Sequence, residues 1–163
     1  MKKYILDQET IARKLERIAY EIVENNLYEP ELILVGIKEN GSVIARVIMN
    51  LVRSIHPFEI TLIDLDLDKR NPGAISLSST PEMEGKVIIL IDDVANSGKT
   101  MLYALKPLMD AYPAKIQTLA LVERSHKAFP VSTDYVGISL ATTLQNHIFV
   151  EVTNDMVTGA YIE

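Results

Sequence analysis

The segment Val87–Thr100, VIILIDDVANSGKT, limits the possible folds more than any other stretch of the chain. Val87–Ile91 is an uninterrupted aliphatic run, the pattern of a strand covered on both faces. Asp92 and Asp93 follow at once, a loop reaches Gly98, and helical spacing then holds from Lys99 to Tyr112, with Pro113 just beyond. A buried strand that passes through a short loop into a helix is half of a parallel α/β unit. Leu32–Ile37, LILVGI, has the same form, with Gly36 and Gly41 bracketing a loop before a helix predicted at Ser42–Ser54.

The remaining spacing fits around these two units. Ile11, Leu15, Ile18, Ala19, Ile22 and Val23 form the stripe of an amphipathic helix over Asp7–Asn26. Strands are predicted at Glu59–Leu67, Ile116–Val122, Tyr135–Ile138 and Ile148–Val152, and Met49, Met101 and Met109 are read as helix packing. Asp68–Gly85 is the longest stretch without periodicity, and in a compact domain such a length is a functional loop. No repeat and no shift of composition divides the chain. At 163 residues and 48% hydrophobic, residues 1–163 are expected to form one α/β domain with a central, mostly parallel sheet flanked by helices.

Composition excludes several classes. The absence of cysteine removes disulfides, thiolate metal sites and a Cys nucleophile. No apolar run approaches the roughly 18 residues of a membrane span, and Met1–Thr10 is too poor in apolar residues for a signal peptide. The chain is therefore read as soluble and cytoplasmic, without a membrane partner. With 16 Lys and Arg against 22 Asp and Glu, the charge of −6 argues against broad adhesion to nucleic acid. Its basic residues are dispersed, and in the first helix Glu16, Glu21 and Glu24 dilute Arg13, Lys14 and Arg17.

The chemistry lies after Val87–Ile91. A nucleoside-triphosphate P-loop would need glycine five positions before Gly98-Lys99-Thr100, where this chain has Asp93. Asn96–Thr100 instead offers backbone N–H groups, two hydroxyls and a helix start, which suit a dianionic phosphate. Asp92 and Asp93 accept hydrogen bonds, for which paired hydroxyls are natural donors. A ribose 5-phosphate satisfies both features together. Capping a helix would need one such residue rather than the whole set.

A hydrophobic strand, two acids, then Ser-Gly-Lys-Thr resembles the signature of the type I phosphoribosyltransferases, which use 5-phosphoribosyl 1-pyrophosphate (PRPP). The likeness extends from about Glu31 to Val152, and Leu121–Gly137 is most similar to the bifunctional pyrimidine operon attenuator and uracil phosphoribosyltransferase type. It implies that Asp92 and Asp93 hold the ribose and serve catalysis, and that Ala95, Asn96, Ser97, Gly98, Lys99 and Thr100 hold the 5′-phosphate. Lys38, Glu39, Asn40 and Gly41 would form the pyrophosphate loop, and Asp68–Glu84 a small hood. Tyr135 would pack on the nucleobase, the Val136 backbone would bond its edge, and Arg124 would lie near the base or pyrophosphate. The resemblance further implies Mg2+ carried on PRPP rather than held by the protein, and a homodimer.

The chain departs from its relatives in the first loop, where Glu39-Asn40 replaces Thr-Arg and leaves Lys38 as the local cation. Asn96 stands where 6-oxopurine enzymes carry Asp, and an amide cannot act as a base, which points from hypoxanthine and guanine toward a pyrimidine such as uracil. Ile138 occupies a position where relatives often carry lysine or a bulky ring. Two functions follow as expectations: transfer of the phosphoribosyl group to a base, or a catalytically weak PRPP or nucleotide sensor, in one form an RNA-binding attenuator.

Overall fold

The computed structural model describes residues 1–141 and 145–163. Its centre is a six-stranded sheet of β4 (Ile75–Leu77), β3 (Glu59–Leu67), β2 (Glu31–Ile37), β5 (Val87–Ala95), β6 (Lys115–Arg124) and β7 (Tyr135–Leu140), in that spatial order. All neighbours pair in parallel except β3 and β4. The aliphatic runs are strands buried on both faces, since Leu32–Val35 and Val87–Ile91 are at most 1% exposed. The α/β class and the mostly parallel sheet expected from sequence are therefore present.

Helices α1 (Gln8–Asn25) and α2 (Asn40–Ile55) cover one face, and α3 (Lys99–Met109) packs on the other with part of the hood. Asp7 caps α1 by accepting from the Thr10 N–H at 2.8 Å, which fixes the helix start at the sequence boundary. Met101 is buried and Met49 packs against the core, whereas Met109 is 60% exposed and does not pack. Met109 follows the buried Leu108 and so lies off the face of α3 that Met101, Ala104 and Leu108 bury.

Three strands lie outside the sequence reading. β1 (Lys3–Asp7) and β9 (Met156–Ile162) join β8 (Ile148–Thr153) in a separate antiparallel sheet of order β1-β9-β8. β8 and β9 are linked by Asn154 and Asp155, both at positive φ (50° and 58°), the conformation of a two-residue hairpin turn. β4 lies inside the stretch read as an aperiodic loop: Ser78 returns its N–H to the Asp64 carbonyl at 2.9 Å, and Met83 is buried. Within the hood, Asp68–Ala74 and Ser78–Glu84 lack regular structure. No helix among the described residues is long and apolar enough to cross a membrane.

Candidate sugar-phosphate site

Asp92 and Asp93 lie near the carboxyl end of β5, between β2 and β6, where open α/β sheets bind ligands. Successive strand residues face opposite sides of a sheet, so the two carboxylates acquire different neighbours. Asp93 accepts from the Val94 N–H at 2.8 Å through Oδ1 and from Asn40 Nδ2 at 3.0 Å through Oδ2. Asp92 accepts from the Asp93 N–H at 2.9 Å through Oδ1, while its Oδ2 is buried with no partner. Burial pushes the Asp92 carboxyl well above its usual range, repulsion from Asp93 adds to the shift, and Lys69 opposes it.

Lys69, from the hood, sits with Nζ 3.4 Å from Asp92 Oδ1 and 3.7 Å from Asp93 Oδ1. Burial lowers its pKa, but attraction to the two carboxylates and hydrogen bonds to them outweigh that effect and raise it. Lys69, Asp92–Met101 and Ile148 line a cavity of about 160 Å³. Sequence reasoning missed Lys69 and Ile148 as site residues. Lys69 sits in a stretch without periodicity, and Ile148 reaches the cavity only because the β1-β9-β8 sheet folds over the strand ends, so neither carried a local signal.

The loop after β5 has the expected form. Gly98 adopts φ +83°, and no side chain caps α3, whose first N–H groups face this loop. The Lys99 N–H reaches Ser97 Oγ at 3.2 Å. Ala95, expected in the phosphate loop, is instead the last residue of β5, with its side chain in the core and its edge on the cavity. Asn96, Ser97, Gly98, Lys99 and Thr100 all line the cavity beside the carboxylates.

Lys38 and Glu39 are exposed at the mouth of the loop between β2 and α2, and the peptide between them is cis. Asn40 opens α2 and also donates from Nδ2 to the Val150 carbonyl at 3.0 Å, which ties this loop to β8 as well as to Asp93. Gly41 is required by proximity: a Cβ there would lie 2.6 Å from the Ile91 carbonyl oxygen and 3.1 Å from Asp92 Cα. The loop and the carboxylates are thus in backbone contact.

The residues expected to bind a base are placed otherwise. Tyr135 is 1% exposed and its ring is enclosed in the core beneath α1, with its hydroxyl on Gln117 Oε1 at 2.9 Å. A ring enclosed in this way has no free face to offer a base. The cause is strand position, since Tyr135 starts β7 and pairs with Leu119, well before the carboxyl end. The Val136 carbonyl accepts from Arg17 at 2.8 Å. Arg124 is buried, donates from Nε to Asn96 Oδ1 at 3.0 Å and from a terminal nitrogen to the Asn146 carbonyl. In the same region the Ala128 and Phe129 N–H groups reach the Ser97 carbonyl at 3.1 and 2.9 Å. The segment Arg124–Phe129 therefore braces the Asn96–Thr100 loop.

The arrangement joins a phosphate-sized loop at a helix start to a carboxylate pair for hydroxyls. A family profile described as "Phosphoribosyl transferase domain" matches residues 2–155. Bifunctional protein PyrR of Enterococcus faecalis is 34% identical over 160 residues, covering 93% of this chain and 90% of that protein. The protein of the same name from Haemophilus ducreyi is 34% identical over 158 residues, covering 91% and 88%. Among solved structures, a hypoxanthine phosphoribosyltransferase of Staphylococcus aureus superposes with a TM-score of 0.73 at 14% identity, over 90% of this chain and 80% of that one. The Trypanosoma cruzi enzyme in complex with IMP gives 0.73 at 16% identity, over 85% and 76%. At such identities the structural likeness concerns the fold alone.

Proposed function

The chain belongs to the phosphoribosyl transferase domain family, and on that footing we propose that it transfers the 5-phosphoribosyl group of PRPP to a nucleobase, uracil or a related pyrimidine, with release of pyrophosphate. One observation carries this reading: the Asp92 and Asp93 carboxylates line the same cavity as the Asn96–Thr100 loop, and the buried Asp92 Oδ2 has no hydrogen-bond partner. A buried acceptor without a donor is costly, and a ribose hydroxyl supplies the missing donor.

Asp92 and Asp93 hold the ribose hydroxyls, and Asn96–Thr100 presents N–H groups and hydroxyls to the 5′-phosphate. Arg124, through Asn96, keeps that loop in place. The base nitrogen forms a bond to the anomeric carbon as the carbon–oxygen bond to pyrophosphate breaks, and the pyrophosphate departs with the electron pair. The carboxylates beside the sugar stabilise the positive charge that develops on it. Lys38 and the N–H groups of the Glu39–Gly41 loop face the leaving group. Residues 1–163 act as one domain in this scheme, and on the family likeness the chain pairs as a homodimer, which sedimentation would test.

Mg2+ is proposed to arrive on the oxygens of PRPP. The donor set agrees with that route: Asp92 and Asp93 form a pair, short of the oxygen-rich set by which a protein alone holds a divalent ion. When bound, the ion supplies neutralisation of the pyrophosphate charge.

A second reading, sensing of PRPP or a nucleotide with weak turnover, is favoured by the engagement of Asn40 with Asp93 and Val150 in a loop without arginine. Net charge alone does not exclude nucleic acid, because contact depends on local faces. Thr10, Arg13, Lys14 and Arg17 line one shallow surface of α1, where Arg13 is paired with Glu9 and Arg17 with Glu21. The deciding experiment is a screen of free bases with PRPP and Mg2+ that follows pyrophosphate release. Release with uracil supports transfer, and PRPP binding without release for any base supports sensing.

A further inference from the structure

Lys69 occupies the place where the ribose hydroxyls are proposed to sit. Its ammonium lies 3.4 Å from Asp92 Oδ1 and 3.7 Å from Asp93 Oδ1, and the sugar needs the same two carboxylates. The side chain remains 48% exposed. It extends from Asp68–Ala74, a stretch of the hood without regular structure. The carboxylates are buried but the lysine end of the pair is half exposed, so water can take up the ammonium when it leaves, unlike that of a fully enclosed pair. The pairing is also incomplete, because Asp92 Oδ2 stays unpartnered while Lys69 is in place. A diol brings two hydroxyl donors and can satisfy an oxygen that the ammonium leaves bare.

We propose that Lys69 is a displaceable counter-ion that holds the Asp92–Asp93 pair in the empty site and yields it to the ribose diol, so that sugar binding releases the hood. The inference rests on the assignment of this cavity to a ribose 5-phosphate group. In the empty state the ammonium offsets part of the repulsion between two adjacent carboxylates and favours their charged form, which accepts hydroxyl hydrogens. After displacement the same charge remains tethered above the site. The leaving pyrophosphate gains from it, since the loop below carries Glu39 and Asn40 beside its single lysine. Lys69 is thus a positioning residue before the sugar binds and a source of charge afterwards.

The test uses ribose 5-phosphate, which carries the diol and the phosphate but no pyrophosphate. Its affinity is measured by calorimetry for the wild type, Lys69→Gln and Lys69→Arg, alongside steady-state turnover with PRPP. Lys69→Gln is expected to bind ribose 5-phosphate roughly two- to fivefold more tightly, the scale of one half-exposed ion pair, while its kcat falls. Lys69→Arg should return both quantities toward wild type. Unchanged or weaker binding by Lys69→Gln overturns the proposal, because a side chain that is not in the way cannot compete. Failure of the wild type to bind ribose 5-phosphate overturns the assignment of the cavity itself, a separate result from the first.

Discussion

Asn40 and Asp93 are joined by a 3.0 Å hydrogen bond from Asn40 Nδ2 to Asp93 Oδ2, which couples the proposed pyrophosphate loop directly to the proposed ribose carboxylate. The same nitrogen reaches the Val150 carbonyl, so one short amide holds together α2, β5 and β8. Asn40→Arg replaces that amide with a cation facing the loop. Pyrophosphate affinity should rise about tenfold, the scale of one added charge-assisted hydrogen bond. Unchanged affinity, measured by calorimetry, would place the pyrophosphate elsewhere.

Replacing both Asp92 and Asp93 with Asn should cost at least about hundredfold in PRPP affinity, since two charged acceptors are lost. The fold should survive, because neither carboxylate forms part of the apolar core. Retention of wild-type affinity in a double variant with an unaltered circular dichroism spectrum would sink the ribose assignment.

Asp92 also gives the empty protein a pH-dependent stability of defined sign. Its carboxyl is raised above the ordinary 3.8, chiefly by burial, so the folded state binds that proton more tightly than the unfolded chain does. Stability from this group is present below the ordinary value and is lost as pH rises toward the raised one. Asp92→Asn should flatten that part of the melting curve against pH. At neutral pH it should also raise the melting temperature of the empty protein by about 2–4 °C, equivalent to about 1 kcal/mol. A steeper slope or a lower melting point in the variant would refute the burial argument.

Tyr135→Phe separates packing from base recognition. Loss of the hydroxyl bonded to Gln117 should destabilise the fold by about 1 kcal/mol in urea titration. KM for the base should stay at the wild-type value, because the ring is enclosed. A changed KM with unchanged stability would return Tyr135 to the site.

Gly41→Ala places a methyl group 2.6 Å from the Ile91 carbonyl oxygen, a backbone atom that cannot rotate away. The start of α2 must shift, with a stability loss of about 1–3 kcal/mol and a fall in turnover. Normal thermal melting and normal kinetics together would mean that the loop absorbs the methyl freely.

Val87–Thr100 was legible in the sequence because its features are local: a run buried on both faces, two acids and a loop at a helix start lie within fourteen successive positions. Glu59–Leu67 was legible to the residue for the same reason. Tyr135 was not, because a β-strand's depth in a sheet depends on its register with Leu119, which no local pattern records. β9 follows an Asn154-Asp155 turn that lacks the glycine by which such hairpins usually announce themselves. Lys69 and Ile148 meet Asp92 across long separations, so their roles emerge only from the tertiary fold. The segment after β6 was expected at a base, and its backbone bonds the Asn96–Thr100 loop through the Ser97 carbonyl.

The antiparallel sheet that supplies Ile148 to the cavity and the Val150 carbonyl to Asn40 is made from opposite ends of the sequence, with β9 between β1 and β8. During synthesis β1 emerges first and must wait for β9 before it has a strand to pair with. The parallel layer can form earlier, while its ligand-facing edge still lacks this cover. A nascent chain on the ribosome therefore acquires its parallel framework before β9, the strand that completes this cover, has been made.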